Sequence, residues 1–256
     1  MTGELAIQAK DLTRVFGAFT AVDHITFDVR VGEVFGFLGA NGAGKTTALR
    51  MLIGLLAPSS GSATVADHDV FTQSEAIKRD IGYMSQRFSL YEDLTVRENI
   101  QLYGGIYGLS NRDIRERTER LLARLGFERA ANDFVRALPL GWRQKLAFSV
   151  ALLHQPRIVF LDEPTSGVDP ITRRQFWELI YEAAASGTTV LVTTHYMDEA
   201  EYCDRISIMV AGKIGAMGTP SDLKRQFGTE SIDELFVRLA RPAAADHARA
   251  SEQVGQ

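Results

Sequence analysis

The sequence predicts an α/β fold built around a sheet that carries a phosphate-binding loop. Three observations support this prediction. A glycine-rich motif follows one apolar run, a second apolar run ends in two carboxylates, and helical patterns separate these two runs. Since continuous apolar runs of this kind are typical of buried parallel strands, we expect both runs to lie in one sheet.

The glycine-rich motif spans 39–47 and fits the pattern G-x-x-x-x-G-K-[ST]. Its glycines allow tight turns, so that several backbone N–H groups can point at one phosphate. Lys45 can then reach the β- and γ-phosphates, and the Thr46 hydroxyl can hold Mg²⁺. The apolar flanks predict a strand over 34–38 and a helix over 47–56 whose N-terminus faces the anion. The phosphate-binding residues expected here are Gly39, Asn41, Gly42, Ala43, Gly44, Lys45, Thr46 and Thr47.

The second apolar run, over 158–161, leads into Asp162 and Glu163. This pattern indicates a buried strand that delivers acids to the carboxyl edge of a parallel sheet. Asp162 is placed to bind Mg²⁺, directly or through water, and Glu163 can face the γ-phosphate and a water molecule. The alternative is a strand that simply ends in surface charges. The presence of the phosphate-binding loop favours the site.

His195 follows a third run, the β-branched segment 188–194, which predicts another buried strand. A lone histidine at the end of a strand is more often structural than catalytic. Here we expect the histidine at the same sheet edge as Glu163 and the phosphate-binding loop, and that placement favours a catalytic role.

Composition limits the functional classes. The chain has 256 residues, of which 45% are hydrophobic and 23% charged, with a formal net charge of -4. This length suits one large or two small domains, and the acidic balance argues against a nucleic-acid-binding surface. The single cysteine, Cys203, excludes an intrachain disulfide framework and is expected to be a buried apolar residue. No signal peptide is visible, and no segment has the apolar length that spans a bilayer.

Smaller elements follow from local patterns. Short β-type runs occupy 5–9, 25–29, 62–65 and 81–86. Residues 87–155 have a different character, with three helical patterns and an Arg- and Glu-rich solvated face. We therefore expect a helical subdomain inserted between two strands of the sheet.

Capping residues locate several helices. Thr95 and Glu98 form a capping-box pattern at the start of the first inserted helix, and the other two inserted helices are expected over 111–125 and 142–154. After the second acidic strand, Asp169 and Pro170 begin a helix that ends at Gly187. Two further helices are expected to open at 198–201 and at 219–222.

The motifs together resemble the ATP-binding cassette (ABC) family, in particular the ATPase subunits or domains of drug-exporter-like systems. The resemblance covers residues 5–225, and the motifs that carry it occur in order at Phe16, 39–47, Gln86, 138–146, 158–163, 166–169 and His195. It implies the ABC ATPase fold, which is α/β with a P-loop mixed β-sheet core, an N-terminal antiparallel β subdomain and an inserted α-helical subdomain. The cofactors that it implies are ATP and Mg²⁺.

The resemblance also implies a domain organisation. An ABC ATPase domain is expected over 1–225, with 1–86 and 156–225 as its core and 87–155 as its helical subdomain. A short helix and a disordered tail are expected over 226–256.

Individual roles follow from matching the family's motifs. Phe16 resembles the aromatic residue that stacks on adenine, although a phenylalanine in the sheet core is the alternative. Gln86 resembles the glutamine that touches Mg²⁺ or water and links the site to a membrane partner. Glu163 resembles the general base and His195 the residue that contacts the γ-phosphate, while Asp169 resembles the acid that contacts the opposite subunit.

One motif departs from the family pattern. The usual Leu-Ser-Gly-Gly-Gln is replaced at 138–142 by Leu-Pro-Leu-Gly-Trp. In the family, the serine hydroxyl and the glycine N–H groups bind the γ-phosphate of ATP that the other subunit holds. Pro139 has neither a hydroxyl nor an N–H, Leu140 adds bulk, and Gly141 remains as the expected contact. Arg143 is either a substitute contact or a member of a solvent-facing or intersubunit salt bridge.

The resemblance implies an ATP-hydrolysing subunit that powers export of a small, drug-like molecule. Two copies would sandwich two ATP molecules head-to-tail and dock on a separate transmembrane permease subunit at the cytoplasmic face of the inner or plasma membrane. No nucleic-acid partner is expected. The docking surface is expected within 86–110, around Phe88, Leu90, Tyr91 and Leu94, unless these residues pack internally.

Two other functions compete with export. One is an ABC ATPase that acts on ribosomes or nucleic acid, although such chains usually carry two sets of motifs and this chain carries one. The other is a regulatory module that hardly hydrolyses ATP, which only the altered motif favours. A dinucleotide-binding dehydrogenase is excluded because no G-x-G-x-x-G follows the first strand.

Overall fold

The computed structural model describes residues 4–86 and 90–241 of the chain. Its strands in this part are β1 (Leu5–Phe16), β2 (Phe19–Arg30), β3 (Val34–Leu38), β4 (Ser60–Val65), β5 (His68–Asp69), β6 (Ile81–Met84), β7 (Ile158–Asp162), β8 (Thr189–Thr194), β9 (Arg205–Val210) and β10 (Lys213–Gly218). Its helices are α1 (Lys45–Leu52), α2 (Ser74–Asp80), α3 (Val96–Ile106), α4 (Asn111–Leu125), α5 (Leu140–Ala151), α6 (Pro170–Ala185), α7 (Pro220–Phe227) and α8 (232–241). Two 3₁₀ helices span Val135–Ala137 and Met197–Tyr202.

The first sheet is antiparallel, with the strand order β2-β1-β4-β5. Its first two strands form a hairpin in which Phe16 pairs with Phe19. These strands are each 12 residues long, whereas the sequence predicts only the runs 5–9 and 25–29. The prediction is too short because the register shifts between Ala9 and Leu12, and such a bulge interrupts the alternation of apolar residues.

The second sheet has the order β10-β9-β3-β8-β7-β6. Strands β9, β3, β8, β7 and β6 are parallel to one another, and β10 is antiparallel to β9, so the sheet is mixed. Because parallel strands end at the same edge, the residues that follow them meet there. Gly39, Gln86, Glu163 and His195 come after the ends of β3, β6, β7 and β8.

The second sheet is buried on both faces. Along β7, Val159 and Leu161 belong to one hydrophobic cluster, and Ile158 and Phe160 belong to another. Since neighbouring residues of a strand point to opposite faces, the clusters lie on the two sides of the sheet. One cluster includes residues of α4, α5 and α6, and the other includes residues of β1, β2 and α1.

Helices α3, α4 and α5 lie between β6 and β7 in the chain, where the sequence predicts helices. The capping box at Thr95 and Glu98 is confirmed, and α4 has the predicted bounds. Helix α5 begins two residues earlier than predicted and ends at Ala151. No helix in 4–86 or 90–241 is both long enough and apolar enough to cross a membrane.

Several element predictions need correction. Helix α1 ends at Leu52, before the predicted residue 56, because Gly54 takes a left-handed φ of 71° that a helix does not continue. The predicted helix at 198–201 is a 3₁₀ helix, and the predicted strand 81–86 ends at Met84. The sequence did not predict α2, β9 or β10.

Other predictions are confirmed. Asp169 caps α6 with Pro170 at its first position, and Gly187 follows the end of that helix. Cys203 is buried, and burial raises the pKa of its thiol. The predicted tail from residue 242 onwards lies outside the described residues.

Candidate functional site

The phosphate-binding loop connects β3 to α1. Gly44 is the residue before the helix and has a left-handed φ of 103°. A Cβ atom at this position would lie 2.5 Å from the carbonyl oxygen of Ala21, so a side chain does not fit. The first N–H groups of α1 have no partners within the helix and therefore provide a positive helix end at this loop.

Lys45, the first residue of α1, is 4% exposed. Its Nζ donates hydrogen bonds to the carbonyl oxygens of Gly39 (2.8 Å) and Ala40 (3.1 Å). The same Nζ lies 3.5 Å from Oε1 of Glu163. Burial lowers the pKa of the Lys45 ammonium, and the nearby Glu163 carboxylate opposes that change. The ammonium is thus held against the inner side of the loop.

Asp162 at the end of β7 is almost fully buried. Its Oδ1 accepts hydrogen bonds from the hydroxyls of Thr46 (3.1 Å) and Thr193 (2.6 Å). A carboxylate and a hydroxyl are hard oxygen donors of the kind that Mg²⁺ takes, usually with substrate phosphates and water as its other ligands. The residues present therefore fit a magnesium ion. In the described part of the chain, no group of three or more His, Cys, Asp or Glu residues could hold a metal.

Glu163 is the residue at which the predicted site converges. Its Oε2 accepts a hydrogen bond from Nε2 of Gln86 (2.9 Å) and lies 3.0 Å from Nδ1 of His195. Since a carboxylate only accepts hydrogen bonds, the contact with His195 needs the proton on Nδ1. Its other oxygen faces Lys45. One buried carboxylate therefore contacts three residues that the sequence placed at the site.

The backbone of Glu163 is held in an uncommon conformation. Its φ is 50°, a left-handed value that side chains other than Gly, Asn and Asp rarely adopt. The backbone N–H of Glu163 donates to the carbonyl oxygen (3.1 Å) and the hydroxyl (3.0 Å) of Thr193. Such strain is of the order of 1–3 kcal/mol and is concentrated at functional sites.

Thr193 is a site residue that the sequence analysis missed. It lies opposite Asp162 in the parallel pairing of β7 with β8, and it bonds both Asp162 and Glu163. The sequence feature that could have identified Thr193 is a hydroxyl residue near the carboxyl end of the strand that leads directly into His195.

Phe16 and Asp169 lie on other elements. Phe16 ends β1 and is 45% exposed, with the Arg14 guanidinium 4.5 Å above its ring. It is therefore not a core residue of the sheet. Asp169 accepts hydrogen bonds from the N–H groups of Ile171 and Thr172, both at 3.0 Å. Hydrogen bonds from Thr172 lower the pKa of the Asp169 carboxyl.

The altered motif begins α5. Gly141 approaches α6 closely, since a Cβ atom there would lie 2.3 Å from Cγ2 of Thr172. Pro139 occupies the N-cap position without a side-chain hydrogen bond. A cavity of about 330 Å³ lies beside the first turn of α5, lined by Met84, Ser85, Gln86, Leu140, Gln144, Ala147, Glu163, Pro164 and Ser166. Arg143 forms an ion pair within the chain, with Glu92 at 2.9 Å.

The predicted docking segment divides by exposure. Leu90 is buried in the hydrophobic core, Leu94 is half-buried, and Tyr91 is 55% exposed. Phe88 lies outside the described residues. Of the described residues in this set, Tyr91 is the most exposed. Leu90 follows the alternative of internal packing, since its side chain belongs to the buried hydrophobic cluster.

A family profile described as ABC transporter matches residues 22–166, which is more than half of the chain. The chain belongs to the ABC transporter family. The predicted fold is confirmed as the ABC ATPase fold. The solved structure described as "Structure of ATP binding subunit of ABC transporter" superposes with a TM-score of 0.82 at 33% identity, over 91% of this chain and 99% of that one.

Two further ABC proteins are similar to this chain. A dimeric ATP-binding cassette in a post-hydrolysis state, bound to ADP and Pi, matches with a TM-score of 0.74 and 25% identity, over 83% of this chain and 98% of that one. "Probable multidrug ABC transporter ATP-binding protein YbhF" of Escherichia coli is 47% identical over 250 residues, or 96% of this chain. The chain spans 43% of the length of YbhF.

Proposed function

We propose that this chain binds MgATP and hydrolyses it to power export of a small, drug-like molecule through a separate transmembrane permease subunit. The observation that carries the ATPase proposal is the Glu163 carboxylate, which lies within 3.5 Å of Lys45, Gln86 and His195 side-chain atoms. The name of the YbhF relative supports the export part of the proposal.

In the proposed site, Lys45 and the N–H groups of the loop bind the β- and γ-phosphates. Thr46, Asp162 and Gln86 would hold Mg²⁺, which when bound neutralises phosphate charge. Phe16 offers a partly exposed ring for stacking on adenine, beside the Arg14 guanidinium that lies over the same ring. The phosphate contacts replace the carbonyl contacts that Lys45 makes in this structure.

Glu163 performs the acid–base step. It accepts a proton from the water whose oxygen attacks the γ-phosphorus, while the bond between that phosphorus and the bridging oxygen of ADP breaks. His195 keeps the Glu163 carboxylate oriented through Nδ1 and contacts the γ-phosphate. The products are ADP and inorganic phosphate, and the proton leaves with the products or with solvent.

A second copy completes the site. We propose that Gly141 and Asp169 both contact the nucleotide of the opposite subunit. Gly141 at the start of α5 packs against Thr172 in α6, and Asp169 caps the start of α6, so the two residues lie at neighbouring helix starts. The dimeric relative bound to ADP and Pi supports this arrangement. The docked complex would lie at the cytoplasmic face of the membrane, with Tyr91 on the permease-facing side. The division into a core (1–86 and 156–225) and a helical subdomain (87–155) stays a prediction.

Two variants test the proposal. Lys45→Ala removes the positive charge that binds the β- and γ-phosphates, so ATP binding and turnover should both be lost. Glu163→Gln keeps the shape and one oxygen that can accept from Gln86 and His195, but it loses the base and the ion pair with Lys45. We expect it to bind ATP normally, to accumulate an ATP-dependent dimer, and to hydrolyse ATP more slowly by about 100-fold or more.

The measurements are equilibrium binding of a fluorescent ATP analogue, phosphate release and size-exclusion chromatography. Cys203→Ala is the control and should retain activity, since this buried thiol lies outside the proposed site. Parental turnover by Glu163→Gln, or parental ATP affinity in Lys45→Ala, would contradict the assignment.

A further inference from the structure

A buried carboxylate lies behind the candidate site. Glu199 belongs to the 3₁₀ helix Met197–Tyr202 and is 0% exposed. Its Oε1 accepts a hydrogen bond from the hydroxyl of Thr165 at 2.6 Å. Its Oε2 is buried and has no hydrogen-bond partner among the described residues. An ionised carboxylate in this position is costly unless a cation compensates it.

Arg173 on the first turn of α6 provides that cation. Its Nε lies 3.7 Å from Oε1 of Glu199, and its Nη1 lies 3.4 Å from Oδ2 of Asp198. The guanidinium carbon sits 4.1 Å above the ring of Tyr196. The Arg173 side chain is 19% exposed, so its charge is only partly screened by water. Glu199, at ion-pair distance without a hydrogen bond to Nε, and Asp198 thus both attract a guanidinium that in turn stacks on an aromatic ring.

The Glu199–Arg173 pair is connected to the candidate site through two routes of neighbouring residues. The first passes through Tyr196, whose ring centroid is 4.2 Å from that of His195. The second passes through Thr165, which lies two residues after Glu163 and bonds Glu199 directly. The histidine and the carboxylate that meet at 3.0 Å are therefore both tied to the same buried ion pair.

We propose that Glu199 and Arg173 are positioning residues that hold His195 against Glu163. The proposal rests on the proposed ATPase function of Glu163 and His195. Removing one charge of a buried ion pair destabilises a fold whatever the role of the pair, so catalysis and the state of His195 have to be measured beside stability. If Glu199 works through its charge, neutralising it removes the buried charge that holds Arg173 over Tyr196. The exposed Asp198 then holds the guanidinium less tightly, and the imidazole loses its fixed orientation. Displacements of this kind slow catalysis without weakening ground-state binding.

Glu199→Gln and Arg173→Met test this proposal. The glutamine keeps an oxygen for Thr165 and fills the same volume. In both variants we expect kcat to fall by roughly tenfold or more, with KM and the ATP dissociation constant within about twofold of the parent. Arg173→Lys keeps the charge without the planar guanidinium and should lie between the parent and Arg173→Met. Glu201→Gln is the matched control, since Glu201 lies in the same 3₁₀ helix but pairs at the surface with Lys224.

A second readout is independent of turnover. The imidazole Cε1–H resonance of His195, assigned with His195→Gln, should move in Glu199→Gln and Arg173→Met but not in Glu201→Gln. If the parent chain hydrolyses no ATP, the proposed function fails, and this resonance still decides the positioning role. Variants that lower only the melting temperature, with the His195 resonance and kcat unchanged, would show that the pair is structural and overturn the proposal. Should Glu199→Gln not fold, Arg173→Lys and Arg173→Met decide it in the same way.

Discussion

The Nδ1 atom of His195 lies 3.0 Å from Oε2 of Glu163, at the shared edge of two neighbouring parallel strands. Because Gln86 donates to the same oxygen, the carboxylate cannot rotate without breaking both contacts. The other oxygen stays turned towards Lys45. Residues that follow β3, β6 and β8 in the chain therefore all contact the Glu163 side chain and depend on its orientation.

His195→Gln should leave ATP binding nearly intact and reduce hydrolysis by about 100-fold. The glutamine can still donate to Glu163, but it has no imidazole to contact the γ-phosphate. Steady-state phosphate release and nucleotide titration measure the two effects separately. The surface variant His24→Gln, at a side chain that is 66% exposed, is the control. Parental turnover in His195→Gln would remove the histidine from the mechanism.

Complementation between inactive chains tests whether two copies share each site. Lys45→Ala disables the phosphate-binding loop. Leu140→Asp places a negative charge beside the γ-phosphate of the opposite copy, and it avoids Gly141, where any side chain would collide with Thr172. Each variant alone should be inactive, and an equal mixture should recover about a quarter of parental activity, since half of the dimers carry one intact site. A chain whose specific activity stays constant on dilution to the monomer would contradict the shared site.

The altered motif predicts slow basal turnover. Pro139 removes a hydroxyl and an N–H, and a hydrogen bond to a charged group contributes roughly 1.5–3 kcal/mol. The double variant Pro139→Ser with Leu140→Gly should strengthen ATP-driven dimerisation by about one to two powers of ten. The serine would also cap α5, which has no side-chain cap at present. Unchanged dimerisation and turnover would mean that these two positions do not contribute to the γ-phosphate site.

His154 should make the fold sensitive to mild acid. Its Nε2 lies 3.0 Å from the carbonyl oxygen of Ile81, and its ring stacks on Tyr107 at 3.8 Å. Burial lowers the pKa of His154, and the hydrogen bond to Ile81 opposes that change only in part. Between the folded pKa and the unfolded value of about 6.5, the unfolded chain binds more protons, so stability falls as pH falls.

The check for His154 is urea unfolding of the parent and of His154→Gln between pH 7.5 and pH 5. The parent should be the more stable at neutral pH. Its advantage should shrink as the pH drops below about 6.5, because only the parent has an imidazole at position 154 that takes up a proton on unfolding. A constant difference between the two chains would show that His154 takes up no proton on unfolding.

Gly141→Ala should destabilise the fold by about 1–3 kcal/mol, the usual cost of an overpacked contact. The added Cβ would lie 2.3 Å from Cγ2 of Thr172, so one of the two helices has to move. The companion variant Thr172→Ser removes that methyl group and should restore most of the loss. Equal stability of Gly141→Ala and the parent in urea unfolding would contradict the close packing of α5 on α6.

Local signals were sufficient for much of the fold. The strand β3, the helix α4 and the caps at Thr95 and Asp169 depend on nearby residues, and the sequence predicts all of them. The register shift between Ala9 and Leu12 and the pairing of β9 with β3 depend on distant parts of the chain, so local patterns did not reveal them.

The same distinction applies to the site. Glu163 and His195 could be assigned to one sheet edge because both follow buried runs. The hydroxyl of Thr193 meets Asp162 only through the register of β7 and β8. Likewise, Arg143 pairs with Glu92, 51 positions away. Contacts that come from register or from packing between helices leave no pattern in the sequence that a single chain can reveal.

At the end of β7, the order of the aspartate and the glutamate matters as well as the presence of two acids. Asp162 turns towards the hydroxyls of Thr46 and Thr193, whereas Glu163 turns towards Gln86 and His195. A chain with these two letters exchanged would have the same composition, charge and calculated isoelectric point. It would nevertheless present the longer acid to the hydroxyls and the shorter one to the imidazole. Searches for related sites should therefore score the two positions as an ordered pair rather than as interchangeable acidic residues.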